Sequence, residues 1–186
     1  GGGICNWSGT LTITSSTISG NTADEGGGGG IYNCEGTIDI IENIISGNTA
    51  YSGSGIFNGG TLTITSSTIS GNTSNEGSGI YNQDGTLTIT SCTISDNTAN
   101  EDGGGGIGNN RGTIDITEST ISGNTATYYG GGIDNNGGTL TITSSIISDN
   151  TADDSGGGIN NDGTMDITES TISGNTATRG GGINNY

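Results

Sequence analysis

Proline, lysine and histidine are absent from the 186 residues, and arginine occurs only as Arg111 and Arg179. Without His or Lys, general acid–base catalysis lacks its commonest proton carriers. Against the two cations stand 19 acidic residues, a formal net charge of −17. Nucleic acid and anionic membrane surfaces need protein cations to displace their counterions, so neither is an expected partner. No run is long and apolar enough to span a membrane, so membrane insertion is not expected. No signal peptide and no starting Met are present. The 40 glycines have no three-residue period, which excludes collagen.

Cysteine is scarce and odd in number: Cys5, Cys34 and Cys92. The three fall at different places in the pattern described below. On neighbouring strands ~4.8 Å apart, offset by two residues (~6.6 Å), Cys5 and Cys34 would lie roughly 8 Å apart, beyond the usual disulfide limit of about 7 Å. All three are expected to be free.

What is present is one block of about 26 residues, repeated seven times with an eighth copy cut short. Its anchoring residue recurs as Ile4, Ile31, Ile56, Ile80, Ile107, Ile133, Ile159 and Ile183. An acidic chain can be disordered, but aliphatic residues at fixed positions in every copy argue against it. A fixed period of this size signals a solenoid in which each unit buries its apolar face against its neighbours. Both ends fall inside a repeat, so the chain is expected to be trimmed from something larger.

Within a copy, Thr10-Leu-Thr-Ile-Thr14 alternates strictly, the period of a strand with one buried face. Thr17-Ile18-Ser19 gives a second short strand, and the residues around Ile4 a third. β-Branched residues dominate all three, with Gly and Asn at the corners between them. The expected fold is all-β: a parallel β-helix of about seven coils, three short strands per coil, as a single domain over residues 1–186. The right hand follows from the crossover preference of parallel strands and from the family resemblance below. The core is then four columns of side chains, led by Ile4, Leu11, Ile13 and Ile18.

Two asparagine columns run through the copies. Asn21, Asn48, Asn72, Asn97, Asn124, Asn150 and Asn175 form one; Asn6, Asn33, Asn58, Asn82, Asn109, Asn135, Asn161 and Asn185 form the other. Identical stacked amides hydrogen-bond along a stack, so both are expected to be structural ladders. Length varies chiefly after Asn-Thr, as in Ala23-Asp-Glu-Gly26 and Asp153-Asp-Ser-Gly156, which marks an edge of corner loops carrying much of the negative charge.

The strings Gly28-Gly-Gly-Ile31 and Gly156-Gly-Gly-Ile159, with Ile18-x-x-Asn21 and Ile69-x-x-Asn72, resemble right-handed parallel β-helix repeats of bacterial surface proteins. The nearest are adhesins of the polymorphic outer-membrane-protein type. Their signatures are Gly-Gly-Ala-Ile and Phe-x-x-Asn, and Ile stands here for Phe. The resemblance covers essentially the whole chain and implies an extracellular or cell-surface solenoid. The autotransporter barrel of that family has no counterpart in this segment. β-Helices host many functions, so the fold does not choose among them.

Three candidate chemistries remain. The pairs Asp39/Glu42, Asp115/Glu118 and Asp166/Glu169 suggest a glycoside hydrolase, but such an enzyme needs two carboxyls about 5–10 Å apart across one cleft, and these pairs stand on separate coils without cationic companions. No catalytic residue and no cofactor is assigned. Calcium needs six to eight converging oxygens; Asp24/Glu25, Glu101/Asp102 and Asp153/Asp154 lie on non-adjacent coils, and no metal site is assigned. The flat faces offer the third. The Thr10/Thr12/Thr14 face is interrupted by Asp39, Asp115 and Asp166. Its neighbour, with Thr17, Ser19, Thr68, Ser70, Thr93, Ser95, Thr120, Ser122, Thr171 and Ser173, carries no charge and is the candidate surface for ice or a ligand such as a surface glycan. The leading expectation is a non-enzymatic stalk, adhesin segment or fibre unit, partnered by flanking domains or by its own copies stacked end to end. An ice-binding protein is the alternative, and a carbohydrate-active enzyme a distant third.

Overall fold

Strands pair only with their equivalents one repeat away, because a strand with one apolar face and a ~26-residue spacing can bury that face only against the next copy. The computed structural model describes residues 1–186, the side chain of Glu25 excepted. All its regular elements are strands, and the ladders joining the coils are parallel. No helix among them is long and apolar enough to cross a membrane.

One central coil illustrates the rest. It runs through Ile80–Gln83, Thr86–Thr90, Thr93–Ser95 and Thr98–Ala99. Its corners fall at Asp84, Ser91, Asp96 and Gly103, all with positive φ of 55°, 54°, 56° and 89°. Left-handed backbone there turns the chain sharply enough to close the coil. Stacked coils form three sheets of 13, 7 and 6 strands, the three sides of the solenoid. The registers are those the repeat demands: Leu62 pairs with Leu87, Ile64 with Ile89, Ile69 with Ile94, and Ile80 with Ile107.

Two features depart from the reading of the repeat. The Ile-x-Asn strand and the Leu-Thr-Ile strand belong to one bent sheet rather than two sides. In Ile133–Thr143 and Ile159–Thr168 they fuse into one continuous strand each, with a bulge between Asn136 and Thr139. The third side is instead built by the segment after Asn, taken from the sequence as a corner loop. Thr22–Gly27, Thr49–Ser52, Thr73–Ser74, Thr98–Ala99, Thr125–Ala126 and Thr151–Ala152 stack there as a six-stranded sheet. Four of the six are two residues long, too short for alternation to be visible. The sheet's Ala50, Ala99, Ala126 and Ala152 are buried, forming a narrow fifth column.

The four expected core columns are all present. Ile31, Leu62, Ile89 and Ile121, one from each, are fully buried, while residues of the end coils such as Leu11 and Ile172 are only partly covered. Each buried aliphatic side chain contributes roughly 1.5–3 kcal/mol gross. The Gly-Gly-Ile run is required by crowding: a Cβ on Gly132 would stand 2.6 Å from the Gly158 carbonyl oxygen and 3.0 Å from Asn150 Nδ2.

Candidate functional site

Both asparagine columns are ladders. Asn72 Nδ2 donates to Asn97 Oδ1 at 2.9 Å, and Asn97 Nδ2 to Asn124 Oδ1 at 2.9 Å. Each Oδ1 also accepts the backbone N–H of the preceding coil's Asn, as Asn97 Oδ1 does from Asn72 at 3.0 Å. The Asn6-to-Asn185 column runs likewise, with Asn82 to Asn109 at 3.0 Å and Asn109 to Asn135 at 2.7 Å. A third ladder escaped the sequence reading. Ser119 Oγ accepts the backbone N–H of Cys92, and Ser145 Oγ that of Ser119, both at 3.1 Å. Cys92 replaces a serine in that column, which accounts for a buried thiol whose pKa burial pushes up. No disulfide joins Cys5 and Cys34.

The candidate Thr/Ser face forms two straight columns on the seven-stranded sheet. Thr17, Ile44, Thr68, Thr93, Thr120, Ile146 and Thr171 make one; Ser19, Ser46, Ser70, Ser95, Ser122, Ser148 and Ser173 make the other. The sheet is only three residues wide. Carboxylates frame it, since Glu42 and Glu118 occupy corners before it and Asp96 and Asp149 corners after it. The Thr10-type face has Asp39 and Asp115 at its centre, paired with Thr63 and Thr88.

The acidic pairs are tied into the stack. Glu42 accepts from Ser15 Oγ at 3.0 Å, Glu118 from Ser91 Oγ at 3.3 Å, and Glu169 from Ser144 Oγ at 3.4 Å. Of the doublets considered for calcium, Asp154 takes Arg179 at 2.6 Å and Glu101 accepts from Asn75 at 3.1 Å. The Glu25 side chain lies outside the described residues. Among the described residues no three acidic, His or Cys side chains group closely enough to hold a metal ion.

The feature with site-like geometry lies elsewhere, on the outward position of Ile-x-Asn. Stacked coils place Cys5, Tyr32, Phe57, Tyr81, Gly108, Asp134, Asn160 and Asn184 in one outer column. Its first half is aromatic. Tyr32 and Phe57 stack at 4.9 Å, Phe57 and Tyr81 lie 5.8 Å apart, and Trp7 meets Tyr32 edge-on at 6.0 Å. Gly108 breaks the column and leaves a hollow of about 290 Å³. Tyr81 and Tyr129 supply aromatic surface there; Glu76, Asp102, Asp134 and Asn136 supply polar groups. Asn110 Nδ2 donates to the Tyr81 hydroxyl at 3.2 Å. A second hollow of about 220 Å³ continues past Asn160 and Asp162 to Tyr186, sharing Tyr129, Asp134 and Asn136 with the first.

Asp134 is the centre of this groove and only 8% exposed. Asn160 Nδ2 donates to its Oδ1 at 2.9 Å, and Asn184 Nδ2 to Asn160 Oδ1 at 2.9 Å. Burial, with Asp102 and Asp162 nearby, outweighs the Asn160 bond and raises the Asp134 pKa to about 6. Of these residues only Asp102 was singled out from the sequence, as half of a doublet weighed for calcium. The available signal was the change at one repeat position from aromatic to Gly to Asp.

Residues 15–34 match the Chlamydia polymorphic membrane protein (Chlamydia_PMP) repeat. No curated protein and no solved structure matches the chain. The matched stretch runs from the Ser15 corner, through Thr17–Ser19 and the Gly-rich turn, to Ile31–Asn33. That repeat, set in a three-sided parallel solenoid, fits a β-helix repeat protein of bacterial surfaces.

Proposed function

We propose that the chain is a non-enzymatic rod of the cell surface or extracellular space, serving as a stalk or adhesin segment. The observation that carries this is the pairing of equivalent residues from coil to coil in all three sheets, with amide ladders continuous along the stack. Such a stack transmits load along its axis and sets a fixed height of roughly 34 Å for seven coils at ~4.8 Å each. The outer edges of the terminal coils offer backbone groups that further coils or another copy can pair with, so flanking domains and end-to-end association belong to the same proposal.

The test is display on a non-adherent bacterium behind a neutral anchor, with an epitope at the far end. Inserting the chain should raise the epitope by about its stacked height, read by energy transfer to a membrane dye, and should increase attachment to host cells or glycans if it is also adhesive. No change in either overturns the proposal. Polysaccharide hydrolysis abolished by Asp115→Asn would overturn its non-enzymatic part.

A second use is favoured by one observation, the two uncharged columns running through all seven coils. Ordered water on such a grid would let the face bind ice. Thermal hysteresis that disappears in Thr120→Tyr or Ser122→Tyr and persists in Thr88→Tyr supports it. No hysteresis in the unmodified chain ends it.

A further inference from the structure

The groove beside Gly108 concentrates negative charge that the protein does not neutralise. Glu76, Asp102 and Asp134 line the first hollow, and Asp162 lies in its continuation. Both arginines are engaged elsewhere: Arg111 with Asp84 at 3.2 Å and Arg179 with Asp154 at 2.6 Å. Asp134 is nine-tenths buried, and among the described residues only Asn160 donates to it, at one of its two oxygens. An Asn at this position would continue the ladder that Asn184 and Asn160 begin, without placing a carboxyl in a desolvated wall. A buried acid kept where an amide would serve the fold marks a place where its charge has a use.

The arrangement also narrows the ligand. Among the described residues no three acidic groups stand close enough to hold a metal ion, which favours a complementary charge carried on a larger body. Tyr81 and Tyr129 offer ring faces, which attract cations. At about 290 Å³ the hollow is at the small end of ligand pockets. That size suits a group like an amino-acid side chain better than an oligosaccharide. We propose that this groove binds an organic monocation, an ammonium or guanidinium on a slender stem, with Asp134 as its charge partner and Tyr81 and Tyr129 as its walls. The site is independent of the rod proposal, and a rod that binds nothing here remains a rod.

The probes are n-butylammonium, n-butylguanidinium and neutral n-butanol, followed by amide chemical shifts of the full chain at physiological salt. Salt suppresses loose attraction to the acidic surface. Expected are saturable shifts at Gly108, Asp134 and Tyr129 with at least one cation and none with butanol. Affinity should rise with pH through about 6 as Asp134 ionises. The titratable and charged groups around it are Glu76, Asp102, Asp162, Tyr81 and Tyr129, with Arg111 acting on Tyr81 from outside the hollow.

Asp134→Asn should weaken binding at least tenfold while leaving the fold intact. Tyr129→Leu should weaken it severalfold without altering the pH profile. Asp115→Asn, on a different stretch of the sheet, should change nothing. A capped lysine amide that binds as well as butylammonium assigns the cation to a partner protein's side chain; its exclusion assigns it to a free amine. The proposal is overturned by butanol or a neutral monosaccharide binding as well as the cations, by Asp134→Asn binding undiminished, or by Asp134→Asn and Asp115→Asn weakening binding alike.

Discussion

The outer column of Ile-x-Asn positions divides the solenoid into two halves that share the same aliphatic and asparagine columns. In the first four coils the outward residues are Cys5, Tyr32, Phe57 and Tyr81, with the aromatic rings packed on one another. In the next four they are Gly108, Asp134, Asn160 and Asn184, and the last three hydrogen-bond in a row. The ladders between coils are parallel in both halves, although two pairs of strands fuse in the second. The backbone ladder, the Ile columns and the Asn columns therefore determine the coil, and the outward position is free to differ. The groove lies at the junction, where the column changes from one chemistry to the other.

The largest expected effect falls on what the halves share. Ile116 is fully buried between Ile89 and Ile142. Ile116→Asp places a charge without a partner in that column and should cost more than about 4 kcal/mol. Because coils are stabilised by their neighbours, denaturant unfolding should show both halves losing structure, with near-ultraviolet signals from the aromatic half changing too. An aromatic half that stays folded would show that the halves are separate cooperative units.

The ladder is the next strongest shared element. Asn97→Ala removes the acceptor of the Asn72 backbone N–H and the donor to the Ile69 carbonyl, contacts of 3.0 and 3.1 Å. Two buried backbone groups lose partners, which costs about 2–4 kcal/mol in total. The midpoint of denaturation should fall, and hydrogen exchange at Asn72 should accelerate more than at the distant Asn150. Uniform acceleration across the stack would mean that the ladder acts globally rather than rung by rung.

Asp134→Asn sharpens the contrast with an effect of opposite sign. The ordinary carboxyl value of 3.8 is raised to about 6 in the folded chain. Between those values the folded state holds a proton that the unfolded state has released. The contribution to stability is therefore complete below about pH 3.8 and is lost as pH rises through about 6. At pH 7.5 the Asn variant should be more stable by on the order of 2–3 kcal/mol, with little difference near pH 4. A gain of equal size at both pH values would rule out ionisation as its source.

How much of this was legible follows from where repetition carries meaning. Leu11, Ile13 and Ile18 announce their columns because alternation and period coincide there, and the Asn ladders follow from identical residues at identical heights. The strands of the third side were hidden because most of them are two residues long and have no period to detect. The corner glutamates Glu42, Glu118 and Glu169 stand out in the sequence as halves of acidic pairs, but their Ser partners on adjacent coils appear only once the coils are stacked. The groove was obscured for the opposite reason. It is made by the position that does not repeat, and a search for recurring residues passes over Gly108 and Asp134. In a solenoid the repeat encodes the scaffold, so departures from it at one outward height are the place to look for binding chemistry.

The smallest effect tests the aromatic half alone. Phe57 lies between Tyr32 and Tyr81, and its ring covers the backbone of Gly27, where an added Cβ would come within 2.6 Å of it. It is only half-buried, so truncation opens no sealed cavity. Phe57→Ser should lose part of one side chain's burial and two aromatic pairs worth about 0.5–1.5 kcal/mol each, a net cost of about 1–2 kcal/mol after the neighbours relax. The loss should appear as a lower denaturation midpoint with an unchanged slope. Amide shifts should move at Tyr32 and Tyr81 but not at Asp134, and the groove should keep its cation affinity. A comparable loss of affinity there would show that the stack positions Tyr81 for the groove, joining the two halves through the one residue that belongs to both.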